Sequence, residues 1–267
     1  MTLRLTLGVG CIAALAAFAA TSASAAPLTD WSASAEAGLA FAAGLPNDTH
    51  SWNIGGAVAG PLGVPNLNFE ADAGYNWTWA NNFHANSFDF GGDLFWAGAM
   101  GRLGVQIGWS PVEHQGSQGR GGVFGEWYFG PLTAMASGGW VNASGSGTGG
   151  RGGYLSGALE AYFMPDLGIT AGVLYDDIVS GRGCQFCGRG DYGDTTLGLT
   201  AEYLFSEQYG LAGYLGYAYD RYIRFDNSPG GGRLSSDTYL VGLRWYLGGG
   251  SLVDHHRNGT LNPFLSE

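Results

Sequence analysis

From about residue 32 to residue 247, apolar side chains return at every second position, in run after run. Tyr239, Val241, Leu243, Trp245 and Leu247 alternate with Thr238, Leu240, Gly242, Arg244 and Tyr246. Leu67, Phe69, Ala71, Ala73, Tyr75, Trp77 and Trp79 alternate in the same way with Asn68, Glu70, Asp72, Gly74, Asn76 and Thr78. A period of two belongs to a strand with one oily and one polar face, and a helix would need 3.6. This reading places strands near 32–41, 52–60, 66–79, 87–98, 101–110, 121–129, 131–141, 153–163, 167–177, 194–205, 209–220 and 236–247. Beyond the first residues no run approaches the ~20 consecutive apolar residues a membrane helix requires.

Only 12% of the 267 residues are charged, and there are 49 glycines and 9 tryptophans. Soluble domains carry about 25% charge and ~7% Gly, so the composition is not that of an ordinary water-soluble fold. Disorder is equally excluded, because disordered chains are poor in aromatic residues. Every basic residue is Arg, and 22 acids leave a formal net charge of -11. Phosphate neutralisation needs clustered basic charge, so nucleic acid is not an expected partner. At the N-terminus Arg4, the apolar run Leu5 to Ala20 and the small-x-small triplet Ala23-Ser24-Ala25 read as a secretory signal peptide over residues 1–25.

Between the strands, connections alternate in length. Short turns lie at Gly60 to Pro65, Gly98 to Gly101, Phe129 to Pro131, Met164 to Asp166 and Ser206 to Gln208. Longer polar or Gly-rich loops fall at 42–51, 80–86, 111–120, 142–152, 178–193 and 221–235. Trp31, Trp96, Trp127 and Trp245 sit toward the short turns, whereas Trp52, Trp77, Trp79, Trp109 and Trp140 sit toward the longer loops. Two belts of amphipathic rings suit two membrane–water interfaces. In these respects the chain resembles bacterial outer-membrane β-barrel proteins as a class. The resemblance implies a transmembrane up-and-down antiparallel barrel over residues 26–247, twelve-stranded, with ten or fourteen strands as the neighbouring even numbers. Gly242, Trp245 and Leu247 also resemble the terminal signal read by the barrel-assembly machinery, although Leu240 stands where a polar residue is usual and a tail, residues 248–267, follows.

Strand parity sorts the charges. Glu36, Glu70, Asp72, Asp89, Asp93, Glu126, Glu160, Asp176, Glu202 and Asp220 fall in the inward register, joined by Arg102 and Arg244. Inward is the cheaper choice, since a charge facing lipid at mid-depth costs about 2–4 kcal/mol for Arg and less for an acid. Two readings of the lumen follow: a hydrogen-bonded plug in which the two arginines bridge carboxylates, or a constriction whose excess negative charge favours cations. Inward glycines, among them Gly55, Gly74, Gly91, Gly104 and Gly108, leave room for the second. Inward Phe95, Phe124, Tyr128, Tyr154, Tyr162, Tyr214 and Tyr246 narrow the space.

Other motifs carry less chemistry. Cys184-Gln-Phe-Cys187 in the longest loop of an exported chain reads as a local disulfide. Gly145 to Gly150 matches a dinucleotide fingerprint in letters alone, with no strand–turn–helix unit around it. His50, His84 and His114 read as loop residues, and His255 and His256 as part of a solvated tail. Arg120, Arg151, Arg182, Arg189, Arg224 and Arg233 read as loop residues that water solvates or that grip lipopolysaccharide phosphates. No cofactor or metal is indicated. The sequence thus points to an outer-membrane channel for passive passage of small polar solutes or ions, cation-preferring, with both termini in the periplasm and the state of assembly left open. A closed barrel with adhesive loops and an outer-membrane hydrolase are the rival expectations.

Overall fold

A computed structural model describes residues 31–43, 48–80, 83–112, 116–144, 150–180, 191–222 and 235–260. Twelve antiparallel strands close on themselves: β1 (Ser32–Ala43), β2 (Thr49–Pro61), β3 (Leu67–Ala80), β4 (Phe83–Gly98), β5 (Gly101–Val112), β6 (Gly116–Phe129), β7 (Leu132–Ser144), β8 (Gly150–Met164), β9 (Leu167–Ser180), β10 (Asp191–Ser206), β11 (Leu211–Tyr222) and β12 (Ser235–Leu247). Each strand pairs with its neighbours in sequence, and β1 pairs with β12 to complete the cylinder. The expected twelve-stranded up-and-down barrel is the fold.

The outer wall is apolar. Ile54, Leu94, Val105, Ile107, Leu159, Leu199, Leu215 and Leu243 all point outward and are exposed, Ile107 to 68%. A monomer in water rarely shows a contiguous apolar surface beyond a few hundred Å², and an encircling band of this kind is what hydrocarbon covers. At the loop end the aromatic side chains form a continuous chain of ring contacts, from Trp52 and Trp77 through Tyr75, Phe88 and Phe90 to Trp109. At the turn end Trp31 meets Phe69, and the Trp245 indole N–H donates to the Tyr209 carbonyl at 2.6 Å. Aromatic side chains thus mark both rims of the band, as expected.

One correction concerns strand length. Most strands extend past their sequence-derived ends on the loop side, so β2 begins at Thr49, β4 at Phe83 and β6 at Gly116. His50 and His84 therefore lie in β2 and β4, and Arg120 and Arg151 in β6 and β8, not in loops. About 9–11 tilted residues cross the hydrocarbon. Beyond that depth the ladder continues while the outward positions become polar, so the apolar period fades before the hydrogen bonding does. Cys184, Cys187, His114, Arg182, Arg189, Arg224, Arg233, residues 145–149 and the signal-peptide reading lie outside the described residues.

Inside, the turn-end half of the lumen is packed. Phe95, Phe124, Met135 and Ala158 form one cluster, and Tyr162, Leu204, Ala212 and Tyr246 form another around Leu252. Leu252 belongs to a short helix, α1 (Leu252–Asn258), which follows β12 and occupies the barrel's mouth. Leu199→Arg, on the lipid face at the middle of β10, should lower unfolding free energy in vesicles by about 2–4 kcal/mol. Leu62→Arg in the β2–β3 turn should cost at most about 1 kcal/mol. Equilibrium urea titration followed by tryptophan fluorescence measures both.

Candidate functional site

The chain after β12 turns back on itself through Gly248 and Gly250, whose φ angles of 110° and 142° lie where only glycine is comfortable. Ser251 then caps α1. Its hydroxyl accepts from the Asp254 N–H at 3.2 Å, and the Asp254 carboxylate accepts from the Ser251 N–H at 3.0 Å. This is a reciprocal capping box. Two turns of helix are marginal alone, so what holds α1 is the wall around it.

Each buried side chain of α1 packs against the wall there, although the His255 Nε2 is left without a hydrogen-bond partner among the described residues. Leu252 packs in the aromatic cluster beside Gly168. His255 stacks on Tyr246 with ring centroids 4.5 Å apart. His256 places Nδ1 2.8 Å from Glu160 and Nε2 2.7 Å from the Tyr246 hydroxyl, which lies 2.7 Å from Glu202. As an imidazolium it donates to Glu160 and to Tyr246, and Tyr246 passes its own proton's hydrogen bond to Glu202. Arg257 lies against the faces of Tyr128 and Tyr162 and donates to the Gly130 and Leu132 carbonyls and to the Thr133 hydroxyl.

The wall supplies the complementary charge at the helix C-terminus. Arg102, opposite Glu126 in the β5–β6 register, donates to the His256 and Arg257 carbonyls at 3.1 and 3.2 Å. These are orphan carbonyls of the last helical turn, where a cation is favoured. Glu126 balances Arg102 at 3.7 Å. Across the β1–β12 closure Arg244 binds Glu36 at 2.7 Å and Glu202 at 2.6 Å, over the Tyr214 ring. Of the two arginines expected to bridge carboxylates, Arg244 does so, whereas Arg102 pairs with Glu126 and turns its remaining donors to the helix carbonyls.

Above α1 lies a cavity of about 450 Å³ whose wall carries Glu36, Glu70, Asp72, Asp89 and Asp93, with Arg120, Arg244 and His256 as its basic groups. Glu70 and Asp93 are direct cross-strand partners, and Asp72 lies over Gly91, where a Cβ would collide with its carboxylate. Asp89 accepts from Asn76 at 2.5 Å. Arg120 stands 3.6 Å from Asp176 and over the Tyr154 ring, so it serves the lumen instead of lipopolysaccharide. Asp220 accepts from Thr196 and Ser236 near the loop end.

Eight of the ten carboxylates assigned to the interior, with both arginines, fall into two groups, while Asp176 pairs with Arg120 and Asp220 lies near the loop end. Glu36, Asp72, Asp89 and Asp93 line open space, Glu70 borders the same cavity while itself buried, and Glu126, Glu160, Glu202 and Arg102 are buried around α1. Arg244 belongs to both. The expectation that His255 and His256 sit in a solvated tail is corrected: they are 7% and 6% exposed. Two signals in the sequence mark α1: the Ser251-x-x-Asp254 capping spacing, and three consecutive basic-type residues, His255 to Arg257, in a chain whose lumen is acidic.

No protein-family model and no curated protein sequence matches the chain. Solved structures do resemble it. An outer-membrane channel from Pseudomonas putida F1 matches with a TM-score of 0.57 and 10% identity, over 84% of this chain and 96% of that one. The translocator domain of the autotransporter NalP from Neisseria meningitidis matches with a TM-score of 0.54 and 14% identity, over 90% and 94%. The KdgM porin, solved with disordered oligogalacturonate, matches with a TM-score of 0.51 and 12% identity, over 79% and 98%. The fold is that of bacterial outer-membrane β-barrels.

The two histidines titrate in opposite directions. Burial opposes the charge on His256, but Glu160 and Glu202 outweigh it and hold its pKa above the ordinary 6.5. Burial and then the charge of His256 push His255 below 6.5. His256 therefore stabilises the docked helix below pH 6.5, and that contribution disappears as pH rises through its raised value. His255 does the reverse, its contribution disappearing as pH falls below 6.5. Docking should be tightest near pH 6.5. Amide exchange in α1, corrected for intrinsic rates, should show protection falling on the alkaline side, and His256→Gln should abolish that limb.

Proposed function

We propose that this protein is an outer-membrane channel for passive passage of small polar solutes or ions, with a preference for cations, and that α1 is a tethered plug in its periplasmic mouth. In this reading the signal peptide is cleaved, the barrel-assembly machinery inserts the barrel, both termini face the periplasm, and lipopolysaccharide surrounds the loop end. The observation that carries it is the acid-lined cavity standing directly on a helix held mainly by side chains, with one backbone hydrogen bond from the Val253 N–H to the Pro165 carbonyl at 3.2 Å. The β1–β12 ladder closes without α1, so withdrawing the helix leaves the cylinder intact. Twelve strands enclose more than the eight whose interior side chains fill, and an α-helix about 10–12 Å across fits such a space.

Five carboxylates against two arginines and His256 give the cavity wall its sign. Fixed carboxylates in a confined pore favour cations. Because Glu126 is engaged by Arg102 and Tyr128, and Glu160 by His256, selectivity is assigned to Asp72, Asp89 and Asp93. A closed barrel is the second reading, favoured by the dense packing of Phe95, Phe124, Tyr162 and Tyr246 at the turn end.

Planar-bilayer recording separates the two. The full chain should conduct in rare or small steps, and a chain ending at Gly248 should give sustained ohmic steps. A salt gradient should then give a reversal potential on the cation side, reduced by the triple change Asp72→Asn, Asp89→Asn and Asp93→Asn. A truncated barrel that folds, judged by its heat-modifiable gel shift, and stays silent would leave the closed-barrel reading standing.

A further inference from the structure

Arg257 occupies a site more elaborate than an ordinary surface arginine needs. Its guanidinium lies 4.9 Å from the Tyr128 ring centroid and 5.4 Å from that of Tyr162, two rings on different strands. Its Nη2 donates to the Gly130 carbonyl at 2.8 Å and the Leu132 carbonyl at 2.9 Å, and its Nε donates to Thr133 at 3.2 Å. Aromatic faces attract a planar cation, and several convergent acceptors match its N–H fork. An ammonium, a compact point charge with a strongly held hydration shell, fits such a slot less well.

The barrel wall makes all of it. Tyr128 is on β6, Tyr162 on β8, and the three oxygens lie in the β6–β7 turn or at the start of β7. The wall would therefore keep these groups when α1 leaves. The helix contributes only the occupant.

We propose that this cage is a binding site for guanidinium-bearing solutes, and that Arg257 fills it as an intramolecular stand-in for the solute. The proposal rests on the channel reading and deepens it by naming the solute class: small organic cations with a guanidinium or amidinium head. Such a solute enters the acid-lined cavity and competes with Arg257 for the Tyr128–Tyr162 slot. Occupying the slot, it favours the withdrawn helix.

The test reads binding, not current, so it stands or fails apart from the channel itself. Arg257→Ala in the full chain vacates the cage, and agmatine is offered against putrescine, which has a second amine in place of the guanidinium. Millimolar agmatine should raise the thermal midpoint of Arg257→Ala, putrescine should leave it unchanged, and the doubly changed Tyr128→Leu, Arg257→Ala protein should lose the response. The unaltered chain, its cage filled, should respond more weakly than Arg257→Ala. If Arg257→Ala does not fold unaided, the folded fraction recovered with each amine replaces the midpoint, with the same expectation. An equal response to both amines, or none to agmatine, would mean that Arg257 is only an internal brace and would overturn the proposal.

Discussion

Hydrocarbon offers no hydrogen-bond partner, and everything else in this molecule follows from that deprivation. A backbone facing lipid must satisfy its own N–H and C=O groups, and a strand can do so only if the sheet has no edge. The pairing of β1 with β12 removes the last edge, and it is secured on the inner face by Arg244, which ties Glu36 of β1 to β12 and reaches Glu202 on β10. The same lipid that forces closure drives ionic groups inward, so the solvent outside the wall sets the chemistry inside it.

Concentrating carboxylates in a narrow lumen creates a problem of its own, since like charges in a poorly solvated space repel. The molecule handles it differently at its two ends. Toward the loops, acids face a cavity, opposite glycines such as Gly74 and Gly91 that leave them room. Toward the turns, acids are buried and matched with cations: Arg102, Arg244 and the basic side chains of α1. A buried charge pair is poor evidence of stability, because desolvation offsets the attraction, but breaking one is costly. The helix α1 is therefore held by specific contacts that can be replaced one at a time.

The barrel was legible in the sequence because lipid writes a period of two into every strand it touches. Strand ends were less so: once β2, β4 and β6 rise above hydrocarbon, residues such as Thr49, His84 and Gln118 keep the ladder without keeping the pattern. The inward acids followed from parity alone, and parity also marked Arg102 and Arg244. It could not say that Glu126 and Glu160 face a helix while Asp72 and Asp93 face a cavity. Both groups share one register, and depth along the strand is not a property of parity.

By itself, the sequence determined the closed sheet, its two aromatic rims and the sign of its interior, because each is a local response to lipid or to water repeated along the chain. Only the tertiary structure decided what fills the interior. Residues 251–260 carry no period of two and too few residues for a stable isolated helix, so their place depends on distant partners, such as Glu160, 96 positions from His256, and Arg102, 155 positions from the Arg257 whose carbonyl it binds. A long-range fit of cation to carboxylate and ring to ring exists only once the cylinder has closed around it.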